Sequence, residues 1–154
     1  MALLHLTYYE RNLCEHLTAA EKLKITLVLC FANLNMFFHH QEPKYLQSAD
    51  EKISAFSKQA SKVEEEFEEI SFIRDVALLA HGVVWFYQRE LKKCNNVLNT
   101  LLNKMMELVK GHAREYEEEG EIVAITLFYL YKVNHEFGKE DLSEYYLTKS
   151  LLYA

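Results

Sequence analysis

Only 4 glycines and 1 proline punctuate the 154 residues of this chain, and that scarcity constrains its fold more than any other feature. Gly and Pro are the main local breaks in a pattern, and strands would need bounded runs alternating between apolar and polar residues. Such runs are absent. Apolar residues recur instead at three- and four-residue steps along the chain, which predicts an all-α fold. Because 50% of the residues are hydrophobic and 26% charged, the chain can build a core and is unlike a disordered tail. Its length suits one domain, so residues 1–154 are read as a single helical domain. No apolar run reaches the roughly 18 residues of a membrane span, and Met1 to Glu10 lacks the basic start and cleavage site of a signal peptide. A cytoplasmic chain without a membrane partner is expected.

About seven helices are predicted. A leading helix over 2–16 carries Leu3, Leu6, Tyr9 and Leu13 on one face. Thr18 and Glu21 have capping-box spacing and start a second helix through Ile25, Leu29, Phe31, Leu34 and Phe38, apolar on nearly all sides and therefore central. Pro43 ends it, since the residue before a proline is pushed out of the α region. Ser48 and Glu51 repeat the capping-box spacing ahead of an amphipathic third helix that carries Ile53, Phe56, Ala60 and Val63 and runs to about Phe67. The acidic run Glu64 to Glu69 marks a solvated bend. Ser71 caps a fourth helix to about Gln88, and Arg89 to Lys93 is a polar connection. The fifth helix carries Val97, Leu98, Leu101, Met105 and Leu108 and stops near Gly111, forming an antiparallel hairpin with the fourth. Gly111 to Gly120 is the most charged stretch and is compatible with helix or loop. The sixth helix spans Glu121 to about Phe137, with Gly138 as its stop, and the seventh runs from about Lys139 to the end.

The hairpins, about 19–67, 70–110 and 121–153, begin at equal intervals, which suggests stacked units that are each too thin to bury their own faces. They are expected to form a right-handed superhelix or a compact bundle. Leu78, Gly82 and Trp85 followed by Cys94, Leu98 and Leu101 resemble a tetratricopeptide unit, as do Leu127 and Tyr131 followed by Gly138, Ser143, Leu147 and Ser150. The first pair fits that pattern badly because Pro43 and its surroundings lengthen the connection. Residues 86–154 are also similar to the peptide-sensing region of Gram-positive regulators of the Rgg/MutR kind. That resemblance rests on Tyr87-Gln88-Arg89-Glu90-Leu91-Lys92-Lys93-Cys94 and on Tyr145-Tyr146-Leu147-Thr148-Lys149-Ser150-Leu151. It implies a domain that dimerises and binds a short peptide on its concave face, without the DNA-binding half of those regulators.

Candidate chemical constellations are sparse. His39, His40 and Glu42 sit at a helix end, where the histidines suit the dipole, and His112 with Glu115 is an i, i+3 pair in a charged stretch. A di-metal bundle needs a second such pair facing inward, which is absent, so no metal or cofactor is expected. Arg11-Asn12-Leu13-Cys14-Glu15-His16 matches the short Arg-to-His string of HEPN-like nucleases, in which Arg stabilises phosphate charge and His moves a proton. With 17 basic against 23 acidic residues the net charge is −6, unfavourable for phosphate binding, and no direct nucleic-acid contact is expected. Cys14, Cys30 and Cys94 read as reduced, buried thiols.

The aromatics, 10 Tyr, 9 Phe and 1 Trp, exceed what a plain core explains, since a Tyr ring favours surfaces where its hydroxyl stays wet. In the tetratricopeptide register the inner face carries Val83, Phe86 and Tyr87 on one pair and Phe128, Lys132 and His135 on the last, with Asn33 the analogue in the first. An apolar floor with Asn33 to hold backbone amides and acidic walls would suit a short apolar or basic peptide. The expected function is a non-enzymatic module that recognises a peptide or partner helix, as a homodimer held by the exposed stripe of a terminal helix. A sensor of small apolar ligands is the alternative, and a HEPN-like ribonuclease the lesser one.

Overall fold

The computed structural model of the chain describes residues 18–63, 68–109 and 117–153. Every regular element among them is an α-helix, as the scarcity of breakers requires. There are six: α1 (Ala19–His40), α2 (Pro43–Ala60), α3 (Glu68–Tyr87), α4 (Leu91–Val109), α5 (Glu117–Glu136) and α6 (Glu140–Tyr153). The expected leading helix over 2–16 lies outside the described residues, as do Arg11, Cys14, His16, His112 and Glu115. No described helix is long and apolar enough to cross a membrane. Contacts gather the chain into two compact units, residues 1–80 and 81–154, divided within α3.

In the first unit, Thr18 caps α1 as its spacing predicts: its Oγ1 accepts from the Glu21 N–H at 3.2 Å. Leu23, Leu27, Cys30, Leu34 and Phe37 form the buried stripe of α1, while Val28, Phe31 and Phe38 stay exposed, so the helix is less thoroughly enclosed than its composition predicts. Thr26 and Asn33 lie within the buried face and are satisfied by their own helix. Thr26 Oγ1 donates to the Lys22 carbonyl at 2.9 Å and Asn33 Nδ2 to the Leu29 carbonyl at 2.8 Å.

The α1–α2 connection corrects three expectations. It is two residues long, Gln41 and Glu42, so Pro43 does not lengthen it. Gln41 takes the left-handed conformation at φ 56° and returns its N–H to the Phe37 carbonyl at 2.7 Å. Pro43 then opens α2 at its first turn, where a missing N–H costs nothing and the fixed φ is already helical. Ser48 therefore lies inside α2 rather than capping it. The helix also stops at Ala60 instead of reaching Phe67, with Ser61 and Lys62 in a turn and Val63 beyond the end. Its stripe of Ala49, Ile53, Phe56 and Ala60 is fully buried against α1. Thr26 near the start of α1 lies 3.5 Å from Gln59 near the end of α2, so the two helices run antiparallel. Arg74 of α3 donates to the carbonyls of Ala60 at 3.1 Å and Val63 at 3.4 Å, which ties α3 to the end of α2. Since α3 begins at Glu68, Ser71 lies inside that helix too.

In the second unit two turns repeat one solution. Arg89, at φ 65°, and Gly138, at φ 75°, both take the left-handed conformation that closes a Schellman motif. Glu90 N–H reaches the Trp85 carbonyl at 2.8 Å, and Lys139 N–H the Asn134 carbonyl at 2.9 Å. The first turn is shorter than the polar connection expected over Arg89 to Lys93, because α4 resumes at Leu91. Gly82 lets α3 and α4 meet: a Cβ there would lie 2.7 Å from Leu98 Cδ2 and 3.2 Å from Val97 Cγ1. Cys94, Leu98, Leu101 and Met105 make the buried face of α4. Helix α5 starts at Glu117, earlier than the expected Glu121.

Helices α5 and α6 are joined across their interface by buried serines. Ser143 Oγ donates to the Tyr131 carbonyl at 3.1 Å and Ser150 Oγ to the Ala124 carbonyl at 2.9 Å. A step of two helical turns on each partner shows that the pair is antiparallel, and the small side chains let the backbones approach. Tyr146 donates to Asn99 Oδ1 at 3.3 Å, which ties α6 to α4. On the outer side of α6, Leu142, Tyr145, Leu151 and Leu152 remain exposed.

Candidate functional site

The aromatic-rich inner positions of the second unit converge on one lysine. Phe86 and Tyr87 come from the last turn of α3, and Phe128, Tyr129 and Lys132 from consecutive turns of α5. Residues 128 and 132 are four apart, which sets the Lys132 stem over the Phe128 ring on one helical face. Its Nζ lies 5.2 Å from the ring centroids of Phe128 and Tyr129, 5.3 Å from Phe86 and 5.7 Å from Tyr87. One ammonium thus meets four π faces, each contact of the kind worth about 0.5–1 kcal/mol when partly solvated, though a single charge shared among rings does not add them in full.

The rings also hold one another. Phe86 meets Tyr87 edge-on at 5.1 Å and Tyr129 at 5.7 Å, while Phe128 meets Tyr129 at 5.8 Å. These tilted arrangements set the positive edge of one ring on the negative face of the next. The hydroxyls of Tyr87 and Tyr129 lie 3.4 Å apart, so each phenol finds a polar partner in an otherwise apolar setting. Burial, reinforced by the Tyr87 hydroxyl, holds the Tyr129 phenol well above its ordinary range, and it stays neutral at physiological pH. Phe86 is buried, Tyr87, Tyr129 and Lys132 are half-buried, and Phe128 is 40% exposed at the rim. Ile125, one turn before Phe128, is 44% exposed. The group therefore grades from core to solvent.

Of the seven residues singled out from the sequence, four are gathered here: Phe86, Tyr87, Phe128 and Lys132. His135 lies one turn further along, its ring 6.3 Å from that of Tyr131 and its Nδ1 3.3 Å from Glu140 Oε1. Val83 is buried at 5% exposure, in the core of the unit rather than on an open face. Asn33 belongs to the first unit, where it is 5% exposed and its amide nitrogen already serves the Leu29 carbonyl. Tyr129 was not among the seven. Its signal was present as an aromatic beside Phe128 and three residues before Lys132, but helical spacing alone reads such a ring as core.

Other constellations are structural in their surroundings. Cys30 and Cys94 are free and buried, and desolvation pushes both thiols up to about 12, which leaves them poor nucleophiles. His40 lies against the Tyr45 ring at 5.9 Å, and Glu42 pairs with Lys44 at 3.1 Å. Among the described residues no group of three or more His, Cys, Asp or Glu side chains could hold a metal ion. Near the aromatic group, Arg89 donates to Glu136 at 3.0 Å, and that bond holds the Glu136 carboxyl below its usual range. His81 stacks on Trp85 with centroids 3.7 Å apart. No family model matches the sequence, and no curated protein or solved structure matches the chain.

Proposed function

We propose that the chain is a non-enzymatic binding module that recognises a short peptide or partner helix on the aromatic face formed by α3 and α5. Its fold in this reading is a tetratricopeptide-like stack of hairpins, similar to the sensor region of Rgg/MutR-type regulators. The observation that carries the reading is the convergence of Phe86, Tyr87, Phe128 and Tyr129 around Lys132, with Phe128 left 40% exposed. Rings half-covered by their own fold retain apolar area for a ligand to cover, at about 25 cal/mol per Å², and tyrosine adds area without much flexibility to lose. The buried Ser143 and Ser150 support the repeat reading, since they stand at the small-residue positions of a second repeat helix. A cytoplasmic setting is supported by the two reduced thiols.

An array of capped random peptides tests the function. Binders that compete for one site and lose at least most of their affinity in Phe128→Asp support it. Binders indifferent to Phe128→Asp, or an array without binders, overturn it. The same reading includes a homodimer through α6, motivated by the exposed Leu142, Tyr145, Leu151 and Leu152. Sedimentation should give a dimer at micromolar concentration that Leu151→Asp dissociates; a monomeric parent rejects it.

A further inference from the structure

We propose that the aromatic face takes an acidic side chain carried on an apolar ligand segment, with Lys132 as its cation; this rests on the peptide-binding reading above and names the chemistry of that ligand. An ammonium carries three donors and no acceptor. Among the described residues Lys132 makes its contacts with four rings, and no carboxylate, carbonyl or hydroxyl accepts from it. Two neighbouring basic side chains already face carboxylates. Arg89 is on Glu136 at 3.0 Å, and His135 faces Glu140 at 3.3 Å. Among the described residues Lys132 is therefore a charge on this face that meets π density but no anion.

Geometry makes that charge selective. The rings fix the Lys132 stem, so little rotamer freedom remains to be lost when an acceptor arrives, and they lower the local dielectric, so a carboxylate gains more there than at an open lysine. Phe128 and Ile125 at the rim offer apolar contact for residues flanking the acid. A basic ligand would set like charge against Lys132. The preference is thus opposite to the one that the chain's net charge of −6 would give through long-range attraction, because contact geometry decides within a Debye length.

The test titrates the full chain with three amide-capped, N-acetylated tripeptides, Phe-Glu-Leu, Phe-Gln-Leu and Phe-Lys-Leu, and follows the side-chain NMR signals of Phe128, Tyr129 and Lys132. Phe-Glu-Leu should bind about tenfold more tightly than Phe-Gln-Leu, the discrimination of a charge-assisted hydrogen bond. The advantage should shrink between about 20 mM and 500 mM salt, vanish in Lys132→Gln and survive in Lys132→Arg. Equal binding of the Glu and Gln peptides, or tighter binding of the Lys peptide, overturns the acidic preference. If those peptides still shift Phe128 and Tyr129, the binding face itself stands. Absence of shifts with all three peptides rejects both readings. Should Lys132→Gln lose helicity, Lys132→Arg and the salt series decide the question in the parent fold.

Discussion

Helices α1 and α5 solve the same interior problem and then differ on their outer sides. Each buries a threonine and an asparagine that hydrogen-bond to their own helix: Thr26 to Lys22 and Asn33 to Leu29 in α1, Thr126 to Ile122 and Asn134 to Leu130 in α5. Each then closes an antiparallel hairpin, but by different means. The α1–α2 pair is sealed by apolar side chains around Phe56 and Ile53, whereas α5–α6 adds two serine bonds onto the facing backbone. On the outside, α1 leaves Val28, Phe31 and Phe38 exposed, while α5 draws Phe128 and Tyr129 together with rings of α3 around a charge. A buried polar residue is thus explained by local satisfaction in both helices, and the distinguishing chemistry belongs to half-buried aromatics.

The apolar seal should be the costlier one to break. Phe56→Ala, at a site 2% exposed, is expected to lose about 3–5 kcal/mol in denaturant unfolding, through lost transfer energy and a cavity. In the serine-closed hairpin, Ser143→Leu should lose about 1–3 kcal/mol by overpacking, and Ser143→Ala only about 1 kcal/mol, the value of one hydrogen bond. If the alanine variant costs as much as the leucine one, close approach is not what the serines provide. Gly138→Ala, at φ 75° with open space around it, should lose about 1–2 kcal/mol by strain alone. Smallest is the Arg89–Glu136 pair. Its folded carboxyl is depressed by the Arg89 bond, so the contribution is present above the unfolded carboxyl range and disappears as pH falls through the folded one. Both groups are exposed, so parent and Glu136→Gln should diverge only slightly at neutral pH and converge in acid.

Helix existence was legible because it follows from periodicity: the stripes through Ile53, Phe56 and Ala60, and through Leu98, Leu101 and Met105, are buried where their spacing puts them. Thr18 and Gly138 were legible because their roles are local. Boundaries failed where two local signals competed. The Ser48–Glu51 spacing suggested a cap, yet Pro43 had already begun the helix, and a proline at the first turn needs no cap downstream. At Gln41 and Arg89 the left-handed stops are occupied by residues that do not advertise them, so both connections are shorter than residue patterning suggests. The aromatic group was partly legible, through Phe86, Tyr87, Phe128 and Lys132. Tyr129 was missed because its distinguishing feature is the Tyr87 hydroxyl, a partner 42 residues away that no helical period announces.

The chain's single tryptophan is Trp85, stacked on His81 within the second unit. Indole emission therefore reports from that unit alone, whereas far-ultraviolet dichroism sums over every helix. Melting curves that coincide by the two probes would mean the halves unfold as one cooperative body, and curves that separate would time the loss of each in turn.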